Sequence, residues 1–552
     1  MSISNAAISD MFNLLSKLMD IHQENSFKSK SYSSAAFAID KLQVQLAQVS
    51  PEQISTLNGI GVSTASKITE LLQTGKMQSL EEMLSKTPSG VLDMLQIKGL
   101  GPKKISTIWK EMGIESVGEL LYACNENRLT MYKGFGEKTQ KNVADAIEFI
   151  MRHQGHFLFA EVESYAQHIQ AILSAQFPAS KLMIAGDFAR QMPTLEELTW
   201  VTDIKKQQLE TWLQQQGLDI TNPTDNNTHA KGSEGIQLRF IYTSTAEYPI
   251  HLFETNCHPD FLTAFRQQYP SALVNINTEE DAFKQAGITY LPPYIRESAD
   301  ALKLNSAEIG QIIQPGDIRG IIHSHSDWSD GSNTIEEMVK SCIEKGFEYL
   351  VISDHSKTAF YANGLSEERV NMQHQYINAL NLKYAPFRIF KSIESDILND
   401  GSLDYADHLL GTFDMIIASV HSNLKMNEEK AMARLIKAIE NPYTTILGHP
   451  TGRLLLSRNG YPLDHEVIID ACIANNVVIE INAHPRRLDL DWKWIGRAQE
   501  KGAILSINPD AHHIDGFEDV RYGVLAAQKG GLQKQNNLSS WSLAEIEKYL
   551  VR

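Results

Sequence analysis

Over residues 1–150 the apolar positions recur three and four apart, as in ISDMFNLLSKLMDIHQ and SAAFAIDKLQVQLAQV. That spacing lines one face of an α-helix and predicts a series of short helices. Three Gly-apolar-Gly turns punctuate them, with glycines at Gly59 and Gly61, Gly99 and Gly101, and Gly134 and Gly136, each ahead of another helical segment. Residues 151–312 change character: MIAGDFA, IQLRFIYTS and SALVNIN read as strands and NPTDNNTHAKGSEG as a polar loop, a mixed α+β pattern. QPGDIRG, near 314–320, reads as a linker.

Residues 318–552 carry the most regular pattern. The apolar runs IRGII, EYLVIS, RIFKSI, DMIIAS, TTILG, VVIEIN and AILSIN alternate with helical patterns such as TIEEMVKSCIEKG, EEKAMARLIKAIE and DWKWIGRAQEKG. Strand, amphipathic helix, strand is the signature of a parallel sheet. Seven such units in this length predict a closed or nearly closed β/α barrel, whose active site sits at the C-terminal strand ends.

Composition narrows the class. The 552 residues imply several domains. Hydrophobic content of 42% and charged content of 21% fit a globular chain. A net charge of −17 argues against a uniformly basic nucleic-acid coat, though not against a local basic surface. The four scattered cysteines suggest a reducing compartment, and no apolar run is long enough to span a bilayer, so a cytoplasmic monomer without membrane contact is expected.

Of the 18 histidines 11 fall after residue 320, and several of these stand at strand ends. His323-Ser324-His325 and Asp330 follow the first run, Asp354-His355 the second, Glu394 closes the third, His421 the fourth and His449 the fifth; Asn482 and His484 follow the sixth, and Asp510-Ala511-His512 the seventh. On an extended strand the i, i+2 pairs His323/His325 and Asp510/His512 each point to one face, and barrel closure makes them neighbours. A single histidine at a strand end is ordinarily a hydrogen-bonding loop residue. Nine ligand-type residues at the same end of successive strands point instead to divalent metals, with zinc, manganese and iron suited to the donors. Closely spaced metals activate water and clamp the attacking and leaving oxygens of a phosphate ester.

The motifs HSHSDWSDG, SDHS, SIESDIL, SVHS, GHPTGRLL and INPDAH resemble the PHP (polymerase and histidinol phosphatase) domain over residues 318–552. The resemblance implies a (β/α)7 barrel with three ions. One would use His323, His325, Glu394 and Asp510, a second Asp330, His355 and a bridging Glu394, and a third His421, His449 and His512, with Asp330, Glu394, Asp510 and Arg453 in catalysis. Arg453, Arg486 and Arg487 are candidates to hold substrate phosphate, because guanidinium offers bidentate geometry; structural salt bridges are the competing reading. His484 and His513 are expected to support the site rather than ligate.

Tight glycine turns ahead of helix N-termini let backbone N–H groups approach phosphate. With Lys98, Lys103, Lys104, Lys133 and Lys138 beside them, the three turns read as helix-hairpin-helix elements contacting DNA backbone without sequence reading, although a glycine also commonly just closes a helix. Lys67, in the helix after the first turn, reads as an exposed phosphate contact. The order of parts, with SFKSKSYSSAAFAIDKL, LNGIGVSTASKITELLQTGK, LPPYIRES and AHPRRLDLDW, resembles the family X DNA polymerases that carry a C-terminal PHP domain.

The resemblance implies a polymerase palm over 151–312, with three carboxylates for two magnesium ions. In GDFARQMPTLEELT the family's Gly-Ser serine is Asp187, its Asp-x-Asp pair falls on Glu197 and Thr199, and its third aspartate falls on Gln237. Thr and Gln cannot supply that charge, so a degenerate palm is expected. The function implied is a metal-dependent phosphoesterase acting on DNA 3′ ends in repair. A small-molecule phosphatase of the histidinol-phosphate type and a non-catalytic DNA-binding scaffold are the alternatives.

Overall fold

A computed structural model describes residues 3, 5–40, 42, 44–151, 155–221, 223–232 and 235–551. The chain forms two compact units, one of residues 1–125 and 132–148, the other of 126–131 and 149–552. The middle region and the barrel, expected as separate domains, pack as one.

The first unit is helical. Asn5–Ile21 and Ser26–Asp40 follow the expected periodicity. The second helix stops at Asp40, and a short 3-10 turn at Leu46–Gln48 replaces the continuation expected through QVQLAQV; Lys41 and Gln43 of that segment lie outside the described residues. The three glycine turns share one geometry. Gly59, Gly99 and Gly134 have φ of +84°, +94° and +96°, a region that favours residues without Cβ. Gly61 and Gly101 then cap the helices Val62–Thr74 and Pro102–Lys110, and Gly136 precedes Glu137–Met151.

In the second unit, strands β1 (Leu182–Ala185), β2 (Glu197–Thr202), β3 (Asp219–Thr221), β4 (Asn227–Lys231) and β5 (Gln237–Tyr242) form a sheet in the order β1-β2-β5-β4-β3. β4 lies inside the stretch expected to be a polar loop: its Thr228 and Ala230 alternate into the core, a period-two signal masked by polar neighbours. Asn222, Ser233 and Glu234 of that stretch lie outside the described residues. SALVNIN, expected as a strand, is a turn. Its Ala272 and Ile276 pack into an aromatic cluster of Phe253, Phe261, Phe265 and Phe283, so burial rather than pairing explains its apolar content.

The barrel strands are β6 (Gly320–Ser324), β7 (Tyr349–Ile352), β8 (Arg388–Asp396), β9 (Met415–Ser419), β10 (Ile446–Leu447), β11 (Val478–Asn482) and β12 (Leu505–Asn508), parallel and in sequence order. Each falls on one of the apolar runs. The open side between β6 and β12 is bridged beyond the strand ends, where His325 N donates to Ala511 O at 2.8 Å. Alternate residues divide the core. Ile321, Leu350, Ile393, Ile416 and Ile479 pack under the helices, whereas Ile322, Val351, Phe390, Ile417 and Val478 fill the lumen with Leu538 and Ile546 beneath them. The expected linker is stitched to the barrel, with Ile313 N donating to Leu532 O at 2.9 Å and Arg319 N to Ser539 O at 2.8 Å.

Ion pairs join the middle region to the barrel. Arg486 meets Glu161 at 2.8 Å, Arg521 meets Glu163, and Lys529 reaches Glu297 at 2.5 Å. Tyr522 and Leu525 pack against the core of the five-stranded sheet.

Candidate metal centre

Above the apolar plug the lumen turns polar. Glu394 and Asp396 on β8 and Glu480 and Asn482 on β11 continue the inward-facing registers of Phe390 and Val478. Alternation alone does not deliver the rest. The β6–β7 register is irregular between Ile321 and Ser324, and His323 has φ +63°. His449 (φ +24°) and Asp510 (φ +54°) also sit in the left-handed region, uncommon for residues with a Cβ. Thus the backbone turns at three strand ends to bring these side chains inward, where a regular strand was expected to do so. Such strain persists where the surroundings over-determine it, and it clusters at functional sites.

Glu394 is the hub. Its Oε1 lies 3.2 Å from His323 Nε2, 3.1 Å from His421 Nε2 and 3.0 Å from His449 Nε2, and its Oε2 lies 3.0 Å from His355 Nδ1 and 3.7 Å from His325 Nε2. Asp510 Oδ1 lies 3.1 Å from His325 Nε2 and 3.4 Å from His323 Nε2. Asp330 faces His355 at 3.6 Å and His512 at 3.5 Å. The nine residues singled out by sequence therefore share one cavity.

Among the described residues three groups offer donor atoms within 4.8 Å of one another: His323, His325, Glu394 and Asp510; His325, Asp330, His355 and His512; and His355, Glu394 and His421. The first group is the set expected for one ion. The other two differ from expectation. His512 sits with Asp330, its ring centroid 4.3 Å from that of His325, and not with His421 and His449. Barrel closure explains this, because it places the end of β12 beside β6, the strand that leads into Asp330.

Two outer carboxylates, Glu480 and Asp396, overlooked in the sequence, orient imidazoles. Glu480 Oε2 is 2.6 Å from His323 Nδ1, and Asp396 Oδ1 is 2.5 Å from His421 Nδ1. Both are partners of the kind that fix tautomer and ring orientation around a metal. Asp354 accepts from Ser326 N at 2.8 Å, Ser326 Oγ at 2.7 Å and Gln373 Nε2 at 2.6 Å, so it clasps the loop that carries Asp330. The available signal was period two: Asp396 is two residues past Glu394, and Glu480 two before Asn482.

Electrostatics in this cavity is a contest between burial and pairing. Burial opposes charge on every imidazole, yet Glu394 and Asp396 raise His421 to about 10, and Asp330 raises His512 to about 10. His325 goes the other way: burial, with His512 and His355 beside it, lowers it to about 3. Glu394 and Asp510 are buried, but facing imidazoles hold both well below the usual carboxylate range.

The donor set fits divalent metal. His323 Nε2, His325 Nδ1, Asp330 Oδ2, Glu394 Oε2 and His512 Nε2 are buried without a hydrogen-bond partner, a costly arrangement unless another group takes their lone pairs. Metals held there supply Lewis acidity and lower the pKa of a bound water. The three candidate phosphate arginines separate. Arg453 donates to Arg487 O at 3.0 Å and also to Leu488 O and Asp491, stapling two loops together, so it is not presented to substrate. Arg486 is committed to Glu161. Arg487, 3.7 Å from Asp510, borders the cluster. His484 is half-buried nearby, and desolvation and the neighbouring cations lower it to about 3; His513 accepts from Gly516 N at 3.1 Å, capping a 3-10 turn.

Residues 322–484 match the PHP domain, 3–77 a helix-hairpin-helix domain, and 91–148 a SAM-like helix-hairpin-helix tandem. The chain is 33% identical, over 97% of its own length and 97% of the relative's, to the DNA polymerase/3′-5′ exonuclease PolX of Bacillus subtilis. The chain belongs to the PolX family. Probable phosphatases of Caldanaerobacter subterraneus and a Thermoanaerobacter species are 29% and 27% identical over 34% of this chain, covering 74% and 77% of their own lengths. The PHP barrel is that of a metal-dependent hydrolase, and the buried His, Asp and Glu clusters can hold its ions.

In this PolX chain the positions expected to carry palm carboxylates lie on adjacent strands of the middle sheet. Parallel pairing sets Glu197 opposite Gln237 and Thr199 opposite Arg239. The chemistry there has changed. Glu197 is paired with Arg239 at 3.2 Å and accepts from Thr199 Oγ1 at 3.1 Å, while Gln237 is engaged with His229 at 2.6 Å. Asp187, on the turn after Gly186, is paired with Arg190, which also meets Glu297 at 3.1 Å. A lone carboxylate neutralised by arginine is a poor host for two magnesium ions. In the helical unit Lys98, Lys103, Lys133 and Lys138 are exposed around the glycine turns, and Lys67 donates to Ser79 Oγ at 2.9 Å.

Proposed function

We propose that this chain is a 3′-5′ exonuclease or 3′-phosphatase, a metal-dependent enzyme that hydrolyses phosphate esters at DNA 3′ ends in repair. The observation that carries the reading is the convergence of five imidazoles on Glu394, in a buried cluster where several inward donor atoms lack hydrogen bonds. Three ions are proposed, manganese or zinc with iron also compatible, held by His323, His325, Asp330, His355, Glu394, His421, His449, Asp510 and His512. Arg487 orients the substrate phosphate. The glycine turns at Gly59/Gly61, Gly99/Gly101 and Gly134/Gly136, with Lys103 and Lys104, hold DNA backbone without reading bases.

Polymerase activity is lost, on the strength of Thr199 and Gln237. We place the chain in the cytoplasm as a monomer; its four cysteines are free thiols, and no helix among the described residues is long and apolar enough to cross a membrane. The probable phosphatases that match about a third of the chain keep a small-ester substrate as the second reading. A 5′-labelled oligonucleotide incubated with manganese distinguishes the two. Shortening from the 3′ end, stopped by chelator and by His323→Ala or Asp510→Asn, supports the DNA reading. An intact strand alongside hydrolysis of a small phosphate monoester supports the second.

A further inference from the structure

Phe360 lies on the 3-10 turn Phe360–Ala362 after β7 and is 73% exposed. The turn is pinned rather than loose. Thr358 N and Oγ1 donate to Asp404 Oδ2 and Asp396 Oδ2, each at 2.7 Å, and Asp396 is the carboxylate that orients His421. On the far side Leu365 N donates to His355 O at 2.9 Å and Asn363 Nδ2 to Trp328 O at 3.2 Å. Gly364 packs so closely that an added Cβ would meet Ser356 O at 1.9 Å.

Three rings form a path outward from the cluster. The His355 and Tyr361 centroids are 6.5 Å apart, and those of Tyr361 and Phe360 are 5.8 Å apart. Tyr361 has one face taken, with the Arg128 guanidinium 4.4 Å over its ring. Phe360 therefore offers open aromatic surface at a fixed place, about two ring contacts from a candidate ligand.

We infer that Phe360 is a specificity-determining residue that stacks the nucleobase on the retained side of the scissile bond, next to the phosphate held at the Glu394 cluster. This rests on the DNA 3′-end reading above. A metal cluster and Arg487 grip phosphate whatever it is attached to. An aromatic platform adds a hold that only a ring-bearing substrate can use, and it tolerates every base because each has a π face. The platform thus separates oligonucleotide ends from simple phosphate esters.

The test uses the full-length, metal-loaded chain and a 5′-labelled single-stranded oligodeoxynucleotide. Phe360→Ala raises KM roughly tenfold to a hundredfold, the range expected for one lost base stack, with kcat nearly unchanged. Phe360→Leu behaves like the alanine variant, whereas Phe360→Tyr and Phe360→Trp stay near the unmodified protein. An abasic site at the penultimate nucleotide costs the unmodified protein the same factor and costs Phe360→Ala nothing further. If Phe360→Ala keeps its KM, or if the two losses multiply, Phe360 does not stack that base, and the proposal falls while the exonuclease reading stands. If the unmodified chain leaves the oligonucleotide intact, both fall.

Discussion

His323 Nδ1 and Glu480 Oε2 approach to 2.6 Å in the barrel lumen, and neither side chain is exposed. The contact holds a proton on Nδ1 and leaves Nε2 turned toward Glu394 and Asp510. Glu480→Gln keeps the shape of the side chain and removes its charge. It lowers metal affinity about tenfold to a hundredfold, the usual effect of losing an outer partner of a ligating histidine. Titration against a competing chelator measures it.

Metal uptake is coupled to pH. Burial is outweighed at His421 and His512 by neighbouring carboxylates, which raise both to about 10, so without metal these imidazoles stay protonated through neutral pH. A ligating nitrogen must give up that proton. Affinity therefore rises with pH across the neutral range, by up to about tenfold per pH unit for each proton released, and levels off as pH approaches about 10. Calorimetry in buffers of different ionisation enthalpy counts the protons.

The barrel was legible because its strands are short apolar runs at regular intervals, and the nine-residue set because each member stands at the end of one of them. Its grouping was not legible, since Asp330 meets His512 only once the barrel closes. Glu480 escaped notice because an acidic residue within VVIEIN looks like a break in an apolar run, whereas it points into a polar lumen. Arg453 illustrates the opposite failure: its type suited phosphate, but two carbonyls and Asp491 claim it, and no sequence pattern announces those partners.

Glu297 serves two cations at once, Arg190 at 3.1 Å and the fully buried Lys529 at 2.5 Å, where the middle region meets the barrel. Glu297→Ala leaves the buried Lys529 ammonium without its carboxylate, while Arg190 keeps Asp187. It lowers stability by about 3–5 kcal/mol, the cost of breaking a buried pair from one side. Urea midpoints report the loss, and Glu297→Leu combined with Lys529→Met recovers part of it by removing the stranded ammonium.

Loss of polymerase activity, as proposed, makes the middle region's carboxylates dispensable for hydrolysis. Glu197→Gln removes the carboxylate paired with Arg239 and leaves hydrolysis of DNA 3′ ends unchanged. Neither the unmodified chain nor the variant extends a primer with magnesium or manganese. Template-directed extension that disappears in Glu197→Gln would show a working palm.

The most direct measurement is anomalous diffraction at the manganese edge from crystals of the full-length chain grown with manganese. The account predicts separate peaks in the cavity bounded by His323, His355, Glu394 and Asp510, with Glu394 bridging at least two of them. Peaks confined to the surface, or a cavity still lacking metal at saturating manganese, would contradict it.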